Sequence, residues 1–462
     1  MQTVNTMANI YDSRFQAHII LEAETPLIIS SGRKSMLTDS EILKDVNDLP
    51  YIPGTTLAGV IRHIIDKEQD NLYFGVKSKS KKDNKDSKGS DIIFSEAKLL
   101  DLNGKVQDGI LNNGLNTEFY NSFKRLPKRN RVCITHKGVA KEGGKFDEEV
   151  IFKGSRFAFD IEMVVKSSDD SKAENFFEEV LNAMANETFR LGGGTRNGFG
   201  KISIKEIRKR KLCLTYKRDL NAYIKSSSSL DSDYSSWEVF KTNNASSDEC
   251  ITYHLTLKPI DFFTFGSGLP DREADAVPVK ETIISWNGKE GRMIKNALLI
   301  PATSIKGAIA HRVAFHYNIK AKKYAMEILP NCFESYCGNN NDAVRLLFGY
   351  QDKVKGEQKR GLCIFDDILS TSSVNEKILN HVKIDRFTGG AMDGALYSEK
   401  VIDGRDLEFT TTIRVINTKE KDLAIALKCL EESFNDINRG TLTFGGGSGR
   451  GHGIFQCSWT KD

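Results

Sequence analysis

The chain has 462 residues, more than one hydrophobic core usually supports, so we expect two domains. Hydrophobic residues make up 39% and charged residues 28%, which is typical of a globular protein, and the formal net charge of +4 indicates no particular class of partner. The eight cysteines have no disulfide-framework spacing, there is no secretory leader, and no apolar run approaches the roughly 20 residues of a membrane span. We therefore expect a cytoplasmic protein that does not bind a membrane.

The first half of the chain begins with a strand, a long loop and a helix. Residues 15–23 alternate between apolar and polar side chains, which predicts a half-buried strand, and the loop of residues 31–45 follows. The helix is predicted to begin at Thr55 or Thr56, whose hydroxyl groups can cap its free N–H groups, and to continue to Arg62. Because a helix N-terminus attracts anions, this segment is a candidate phosphate contact.

The middle of the first half is rich in basic residues. Residues 77–91 contain six lysines and no large apolar residue, so we interpret residues 76–91 as a flexible surface insertion. A second basic cluster, with no acid between residues 122 and 137, is suited to neutralising phosphates. Residues 131–150 are predicted to form two strands joined by a glycine-containing excursion, which is a projecting hairpin. The members of the second cluster are Lys124, Arg125, Lys128, Arg129, Arg131 and Lys137.

The first half closes on a glycine-rich loop. A strand that starts at residue 156 and a helix from about residue 173 to 187 lead to this loop, residues 192–200. Glycines let the backbone approach a ligand and turn N–H groups toward an anion such as phosphate. A dinucleotide fold is excluded, because it places such a loop after the first strand and before a helix. The candidate contacts are Gly193, Gly194, Arg196 and Gly198.

The second half repeats this order after residues 216–249, which we interpret as a flexible linker with some local structure around residues 234–240. A strand at residues 251–258 and a long loop at residues 266–280 come first. A second helix follows, with Thr303 or Ser304 as its cap. Its candidate phosphate contacts are Ser304, Lys306 and Arg312.

A second projecting hairpin and a second glycine-rich loop complete the chain. Residues 381–401 form the hairpin, whose apolar tip beside Arg386 is suited to wedging between bases. A helix at about residues 421–435 leads to the loop of residues 445–453. The candidate contacts of this loop are Gly446, Gly447, Arg450 and Gly451.

The two halves are copies of one domain. The offset between matching motifs is nearly constant, from Ile52 to Ile300 and from Gly192 to Gly445, which is difficult to obtain by chance. The element order predicts an α+β protein with two tandem ferredoxin-like (RRM-like) domains, each with a hairpin and a C-terminal glycine-rich loop. The domains are expected at residues 1–215 and 250–462.

These motifs resemble the RAMP superfamily, specifically the backbone subunits of type III CRISPR effector complexes, here fused in tandem. The resemblance covers nearly all of both halves. It is carried by residues 50–59 and their copy at 299–307, by the hairpins at 131–150 and 383–401, which correspond to the family's thumbs, and by both glycine-rich loops.

The resemblance implies that each domain binds a CRISPR RNA and that each thumb distorts the guide–target duplex. It further implies that complementary target RNA is cut beside each thumb, with Mg²⁺ or another divalent cation and an aspartate of the long first loop. Asp39 matches that aspartate, Asp275 is the best match in the second domain and Asp271 the reserve, and Asp39 and Asp275 are the implied metal ligands. The implied partners are CRISPR RNA, complementary target RNA and other CRISPR effector subunits.

The sequence departs from the pattern of the family at two places, and we consider two alternative functions. Ala58 stands where the helix motif of the family has a lysine, and the segment between Asp275 and Ile300 is lengthened. One alternative is a non-catalytic, guide-binding structural subunit. The other is a ribonuclease that matures the guide with a histidine such as His63 or His136.

Overall fold

A computed structural model describes ten segments of the chain. Residues 76–87 of the expected flexible insertion, residues 244–249 of the expected linker, and His136 lie outside the described residues. The described segments are residues 11–34, 38–65, 73–75, 88–111, 117–135, 138–166, 169–243, 250–324, 336–352 and 356–462. Across these segments, no helix is long and apolar enough to cross a membrane.

The first domain is an antiparallel sheet with helices on one face. Its elements are β1 Ser13–Ala23, α1 Gly54–Arg62, β2 Ile92–Phe94, β3 Lys98–Leu99, α2 Glu118–Lys124, β4 Lys128–Ile134, β5 Ala140–Glu149, β6 Arg156–Val165, α3 Asp170–Ala183 and β7 Ile202–Cys213. The strand order is β2-β6-β1-β7, with β3 also paired to β6. Because side chains alternate along a strand, β1 turns Ala17, Ile19 and Leu21 into the core that α3 covers with Phe176 and Phe177.

The segment after β7 is more ordered than the flexible linker that we expected, and the local structure expected around residues 234–240 is present. It contains α4 Lys217–Ile224 and β8 Glu238–Val239, and β8 extends the first sheet beside β7. Tyr234 stacks on His18 with 3.7 Å between ring centroids, and its hydroxyl donates to Asp160 at 3.0 Å. This segment therefore covers the sheet face opposite the helices, the face on which RRM domains stack bases.

The second domain has the same architecture. Its elements are β9 Cys250–Pro259, β10 Phe262–Phe263, β11 Lys280–Asn287, β12 Glu290–Ile300, α5 Ala302–Lys320, α6 Asp342–Phe348, β13 Gly349–Asp352, β14 Glu357–Arg360, β15 Cys363–Phe365, β16 Ile368–Ser370, β17 Glu376–His381, β18 Tyr397–Asp403, β19 Phe409–Ile416, α7 Leu423–Asn438 and β20 Phe455–Lys461. The sheet order β15-β19-β9-β20 repeats the order β2-β6-β1-β7 of the first domain. The predicted α+β repeat is confirmed.

The lengthened segment before the second helix is a hairpin that packs on the first domain. Strands β11 and β12 form this hairpin, and Ile284 is buried in the core cluster of the first domain. The indole N–H of Trp286 donates to the carbonyl oxygen of Gly154 at 2.6 Å, and the guanidinium of Arg156 lies 4.0 Å from the Trp286 ring centroid. The two domains therefore share apolar packing as well as a chain connection.

The predicted helix caps are wrong. Helix α1 follows Pro53 and helix α5 follows Pro301, which places the hydroxyl residues at the second and third positions of the helices instead of at the N-cap. A carboxylate from elsewhere in the second domain supplies the cap of α5, because Oδ1 of Asp367 accepts from the amide of Ala302 at 2.8 Å. The four residues concerned are Thr55, Thr56, Thr303 and Ser304.

Candidate active site and RNA interface

Asp39 lies in the first long loop beside the first thumb, the hairpin of β4 and β5. The backbone N–H of Asp39 donates to Oδ1 of Asp147 at 2.9 Å, and the backbone N–H of Asp147 donates to Oδ2 of Asp39 at 3.2 Å. Asp147 belongs to β5, the returning strand of the thumb. The carboxylate of Asp39 is thus exposed and held against the thumb by reciprocal hydrogen bonds.

Asp275 occupies the corresponding place beside the second thumb, the hairpin of β17 and β18. Its Oδ2 accepts from the backbone N–H of Ser398 at 2.8 Å and from the Ser398 hydroxyl at 3.0 Å. The amide of Asp275 donates to the carbonyl oxygen of Ser398 at 3.0 Å. Ser398 lies in β18, as Asp147 lies in β5, so an exposed loop carboxylate contacts the returning thumb strand in both domains.

The hydrogen bonds of the next residue in each loop, Ser40 and Ala276, support the equivalence of Asp39 and Asp275. The amide of Glu149 donates to the carbonyl oxygen of Ser40 at 3.1 Å, and the amide of Lys400 donates to the carbonyl oxygen of Ala276 at 2.8 Å. These hydrogen bonds fix the same register between loop and strand in both domains. Asp275 is therefore the structural counterpart of Asp39.

Asp271, the reserve candidate, holds a turn and an ion pair instead. Its Oδ1 accepts from the amides of Glu273 and Ala274, both at 2.8 Å, and its Oδ2 lies 2.6 Å from Nζ of Lys400. The hydrogen bond from Lys400 lowers the pKa of Asp271 to about 2. The structure does not place Asp271 in the position of Asp39, because the loop register assigns that position to Asp275.

The loop carboxylates supply oxygen donors of the type that hard divalent cations bind. Within the described segments, no three His, Cys, Asp or Glu side chains are close enough together to hold a metal ion. Mg²⁺ commonly binds through one or two protein carboxylates and completes its octahedron with water and substrate phosphates. Asp39 with Asp147 offers two carboxylates, and Asp275 offers one.

Both thumbs present apolar and basic side chains to solvent. Phe387, at the tip of the second thumb, is 100% exposed, and the neighbouring Arg386 is exposed as well. The first thumb exposes Val132, Ile134, Val139 and Phe146. Arg125, at the base of the first thumb, and Arg62, which donates to the carbonyl oxygen of Gly75, are also exposed. These surfaces can reach RNA bases and phosphates.

Arg129 was expected to contact phosphate, and the structure contradicts this expectation. Its side chain is 6% exposed and forms ion pairs with Glu281 and Asp367, both of the second domain. Burial alone would lower the pKa of Arg129, but the two carboxylates raise it above its ordinary value, so the guanidinium stays charged. Its charge is already neutralised by protein, which leaves it unsuited to binding a phosphate.

Three further arginines that were expected to contact RNA are held by carboxylates. Arg131 pairs with Glu148 and lies between the rings of Phe146 and Phe199, where burial lowers its pKa to about 10. Arg312 pairs with Asp436, which is also hydrogen-bonded to His316. Arg450 pairs with the buried Glu399 at 2.6 Å. Arg312 and Arg450 lie 124 and 51 residues from their acidic partners, so the local sequence did not reveal these two ion pairs.

The glycine-rich loops need glycine mainly for backbone packing. A Cβ atom at Gly192 would overlap the carbonyl oxygen of Ile28, and one at Gly445 would overlap that of Thr264. The amides of Gly193 and Gly446 donate to these same oxygens, at 2.8 and 2.9 Å. These two N–H groups therefore do not face an anion, contrary to the expectation.

The first glycine-rich loop lies against the second domain. Gly198 forms a parallel bridge with Asp366, and Nε of Arg196 donates to the carbonyl oxygen of Gly361 at 3.1 Å. Nζ of Lys306 donates to Oδ1 of Asn197 at 2.8 Å, beside a cavity of about 330 Å³ that both domains line. The loop that was expected to bind phosphate is thus a major part of the contact between the domains.

Alanine at Gly198 is expected to cost more stability than alanine at Gly451, its counterpart in the second loop. Both have positive φ, +99° and +87°, so alanine introduces strain of about 1–2 kcal/mol in each. Only at Gly198 would the new Cβ also overlap Asp367 and Ala302, which adds about 1–3 kcal/mol. Urea denaturation of the two variants measures the difference, and equal losses would contradict the packing role of Gly198.

Sequence reasoning missed two adjacent aspartates that join the domains. Asp366 pairs with Arg190 of the first domain and with Arg414 of the second, each at 3.0 Å, while Asp367 pairs with Arg129. A signal was present, because these two acids interrupt the apolar run from Cys363 to Ile368. Charged residues within a buried segment are usually paired.

Comparisons with known proteins agree with this architecture. The RAMP superfamily model matches residues 20–203 and 265–456. A protein named CRISPR system Cms endoribonuclease Csm3 from Methanocaldococcus jannaschii is 23% identical over 207 residues, 41% of this chain and 77% of that protein. A protein of the same name from Methanothermobacter thermautotrophicus is 25% identical over 229 residues, 44% of this chain and 91% of that protein. This chain belongs to the RAMP superfamily and carries two of its domains in tandem.

Proposed function

We propose that this chain is a backbone subunit of a type III CRISPR effector complex that binds the CRISPR RNA and cuts complementary target RNA at two sites, one in each domain. The names of its relatives as CRISPR endoribonucleases support RNA cleavage. The observation that carries the proposal is the matched placement of Asp39 and Asp275, each exposed and hydrogen-bonded to the returning strand of a thumb.

Each loop carboxylate would hold a divalent cation such as Mg²⁺ beside the scissile phosphate. A bound cation would stabilise the negative charge that develops on the phosphate, and the neighbouring ribose hydroxyl is the proposed nucleophile. The hydrogen bonds from Asp147 and Ser398 fix where the carboxylates point. Because the two carboxylates lie in different domains, each beside its own thumb, each domain would produce its own cut.

The exposed basic residues and the thumb tip would bind the RNA. Arg62, Arg125 and Arg386 are exposed and can neutralise phosphates. Phe387 projects its whole ring into solvent beside Arg386, which suits stacking on a base. Other subunits of the effector complex would flank the chain along the guide.

Guide-RNA affinity is expected to fall as the pH rises through about 8, because Lys306 loses its charge there. Burial lowers the pKa of Lys306 to about 8, so the lysine is charged below that pH and neutral above it, and RNA phosphate favours the charged form. Replacing Lys306 with Met should flatten this part of the pH profile and reduce the salt slope by about one phosphate contact.

Fluorescence anisotropy with labelled guide RNA at fixed ionic strength measures both effects. The matched control is Lys258→Met, which removes a half-exposed lysine of the second sheet and should keep the wild-type pH profile. Identical profiles for the wild type and Lys306→Met would show that Lys306 does not contact the guide.

The proposed function is tested by assembling the complex with guide and complementary RNA and comparing Mg²⁺ with EDTA. We expect two cuts in Mg²⁺ and none in EDTA. Guide binding without cutting in Mg²⁺ would identify the non-catalytic structural alternative. Cutting that persists in EDTA and is lost on replacing His63, an exposed residue at the end of α1, would identify the guide-maturing alternative.

A further inference from the structure

The two proposed sites differ at the residue that holds the loop carboxylate. In the first domain this residue is Asp147, whose carboxylate accepts from the amide of Asp39 while its own amide donates to the Asp39 carboxylate. In the second domain Ser398 takes this place and donates to Asp275 through its amide and its hydroxyl. The first site therefore has a second carboxylate on the thumb strand, and the second site has a neutral residue at that position.

The charge difference extends two residues along the thumb strand. Glu149 follows Asp147 in β5, and its Oε2 accepts from the amide of Ile42 in the first loop. At the matching position of β18, Lys400 forms ion pairs with Asp271 and Glu273. The strand therefore brings two negative charges to the first loop and one positive charge to the second.

We propose that Asp147 and Ser398 are positioning residues of the two cleavage sites and that the extra carboxylate of Asp147 makes the first site hold its divalent cation more tightly than the second. This inference rests on the proposed function. The affinity of an oxygen-ligand site for a hard cation depends on the number of charged ligands, so a second carboxylate strengthens binding. In the second domain no acid takes this position on the thumb strand, and Lys400 is neutralised by Asp271 and Glu273.

Three substitutions separate positioning from charge. Asp147→Asn keeps an oxygen that can accept from the amide of Asp39 but removes the negative charge. Asp147→Ala removes the charge and the hydrogen bond from the amide of Asp39, while the bond from the amide of residue 147 to the Asp39 carboxylate remains. Ser398→Asp gives the second site the acid pair of the first, and this gain cannot arise from misfolding. Glu408→Ser, at a surface acid of the second domain, is the control.

Cation binding is measured first without RNA, by titrating the full chain with Mn²⁺ and following free Mn²⁺ by electron paramagnetic resonance. We expect a tighter site that Asp147→Asn weakens about tenfold or more, which is the usual effect of losing a group beside a metal ligand. Ser398→Asp should tighten the weaker site by a similar factor, while Glu408→Ser should bind as the wild type does. Wild-type Mn²⁺ binding in both Asp147→Asn and Ser398→Asp would overturn the inference.

The Mg²⁺ requirement of each cut is measured second, in the assembled complex. Asp147→Asn should raise the Mg²⁺ concentration at half-maximal rate for the cut made by the first domain and leave the other cut unchanged. Asp147→Ala should also lower the rate of that cut at saturating Mg²⁺, because the backbone N–H of Asp39 loses its acceptor and the loop that carries the Asp39 carboxylate is held less firmly. If the complex does not cut at all, the proposed function fails, and Mn²⁺ binding alone still decides the inference.

Discussion

Replacing Asp39 with Ala is expected to remove one of the two target-RNA products, and replacing Asp275 with Ala is expected to remove the other. Each variant should lose about 100-fold or more in the rate of its own cut, because the cation loses its exposed protein ligand and stabilisation of the developing charge is worth several kcal/mol. The other cut should be unchanged, since the two carboxylates lie in different domains, each beside its own thumb. Labelled target RNA on a sequencing gel measures both products.

The control for this prediction is Asp271→Ala. Asp271 is an acid of the same loop as Asp275, but it holds a turn and pairs with Lys400, so both cuts should persist in the variant. Loss of both products from either Asp39→Ala or Asp275→Ala would indicate one shared site and contradict the assignment. Loss of a cut in Asp271→Ala with normal cutting in Asp275→Ala would exchange the roles of those two residues.

Replacing Arg129 with Met is expected to lower the free energy of unfolding by about 3–5 kcal/mol. The change leaves Glu281 and Asp367 buried without their counter-charge, at 5% and 0% side-chain exposure. Asp367 also caps α5, so the loss falls on the contact between the two domains. Chemical denaturation followed by tryptophan fluorescence measures the change, because Trp286 packs at this contact.

The matched control is Lys258→Met, which breaks an ion pair with Glu408 in which both side chains are about half exposed. Such surface pairs contribute about 0–1 kcal/mol, so this variant should unfold nearly as the wild type does. Similar small losses in both variants would show that Arg129 does not join the domains.

The sequence predicted the features that depend on local pattern and on the repeat. Alternating apolar residues identified the strands β1 and β9, and the matched order of motifs predicted two domains with one sheet topology. Asp275 was preferred to Asp271 as the better match to the aspartate of the family, and the structure adds the register against β18 that supports this choice.

The sequence did not predict the features that depend on distant partners. Arg129 was predicted to contact phosphate because its neighbours in the sequence are basic. The two acids that neutralise it, Glu281 and Asp367, lie 152 and 238 residues away in the chain. The same reasoning failed for Arg312 and Asp436. Glycine-rich composition indicates that a loop can approach another group closely, and it does not say whether that group is a ligand or the chain itself.

The glycine-rich loops also show why the tandem arrangement matters for function. Gly198 of the first loop packs on the start of α5, so the two domains are in direct contact at a defined place. The ion pairs of Asp366 with Arg190 and of Asp367 with Arg129 connect the two domains at the same place. A fixed junction sets the separation between Asp39 and Asp275, and we expect this separation to set the spacing between the two cuts.

The most direct test of two RNA-cutting domains in one chain is to map the cuts made by the wild type and by the double variant Asp39→Ala, Asp275→Ala, with target RNA labelled at either end. The wild type should make two cuts at a constant spacing in Mg²⁺. The double variant should bind guide and target normally and make neither cut. A single cut by the wild type, or both cuts surviving in the double variant, would contradict the account.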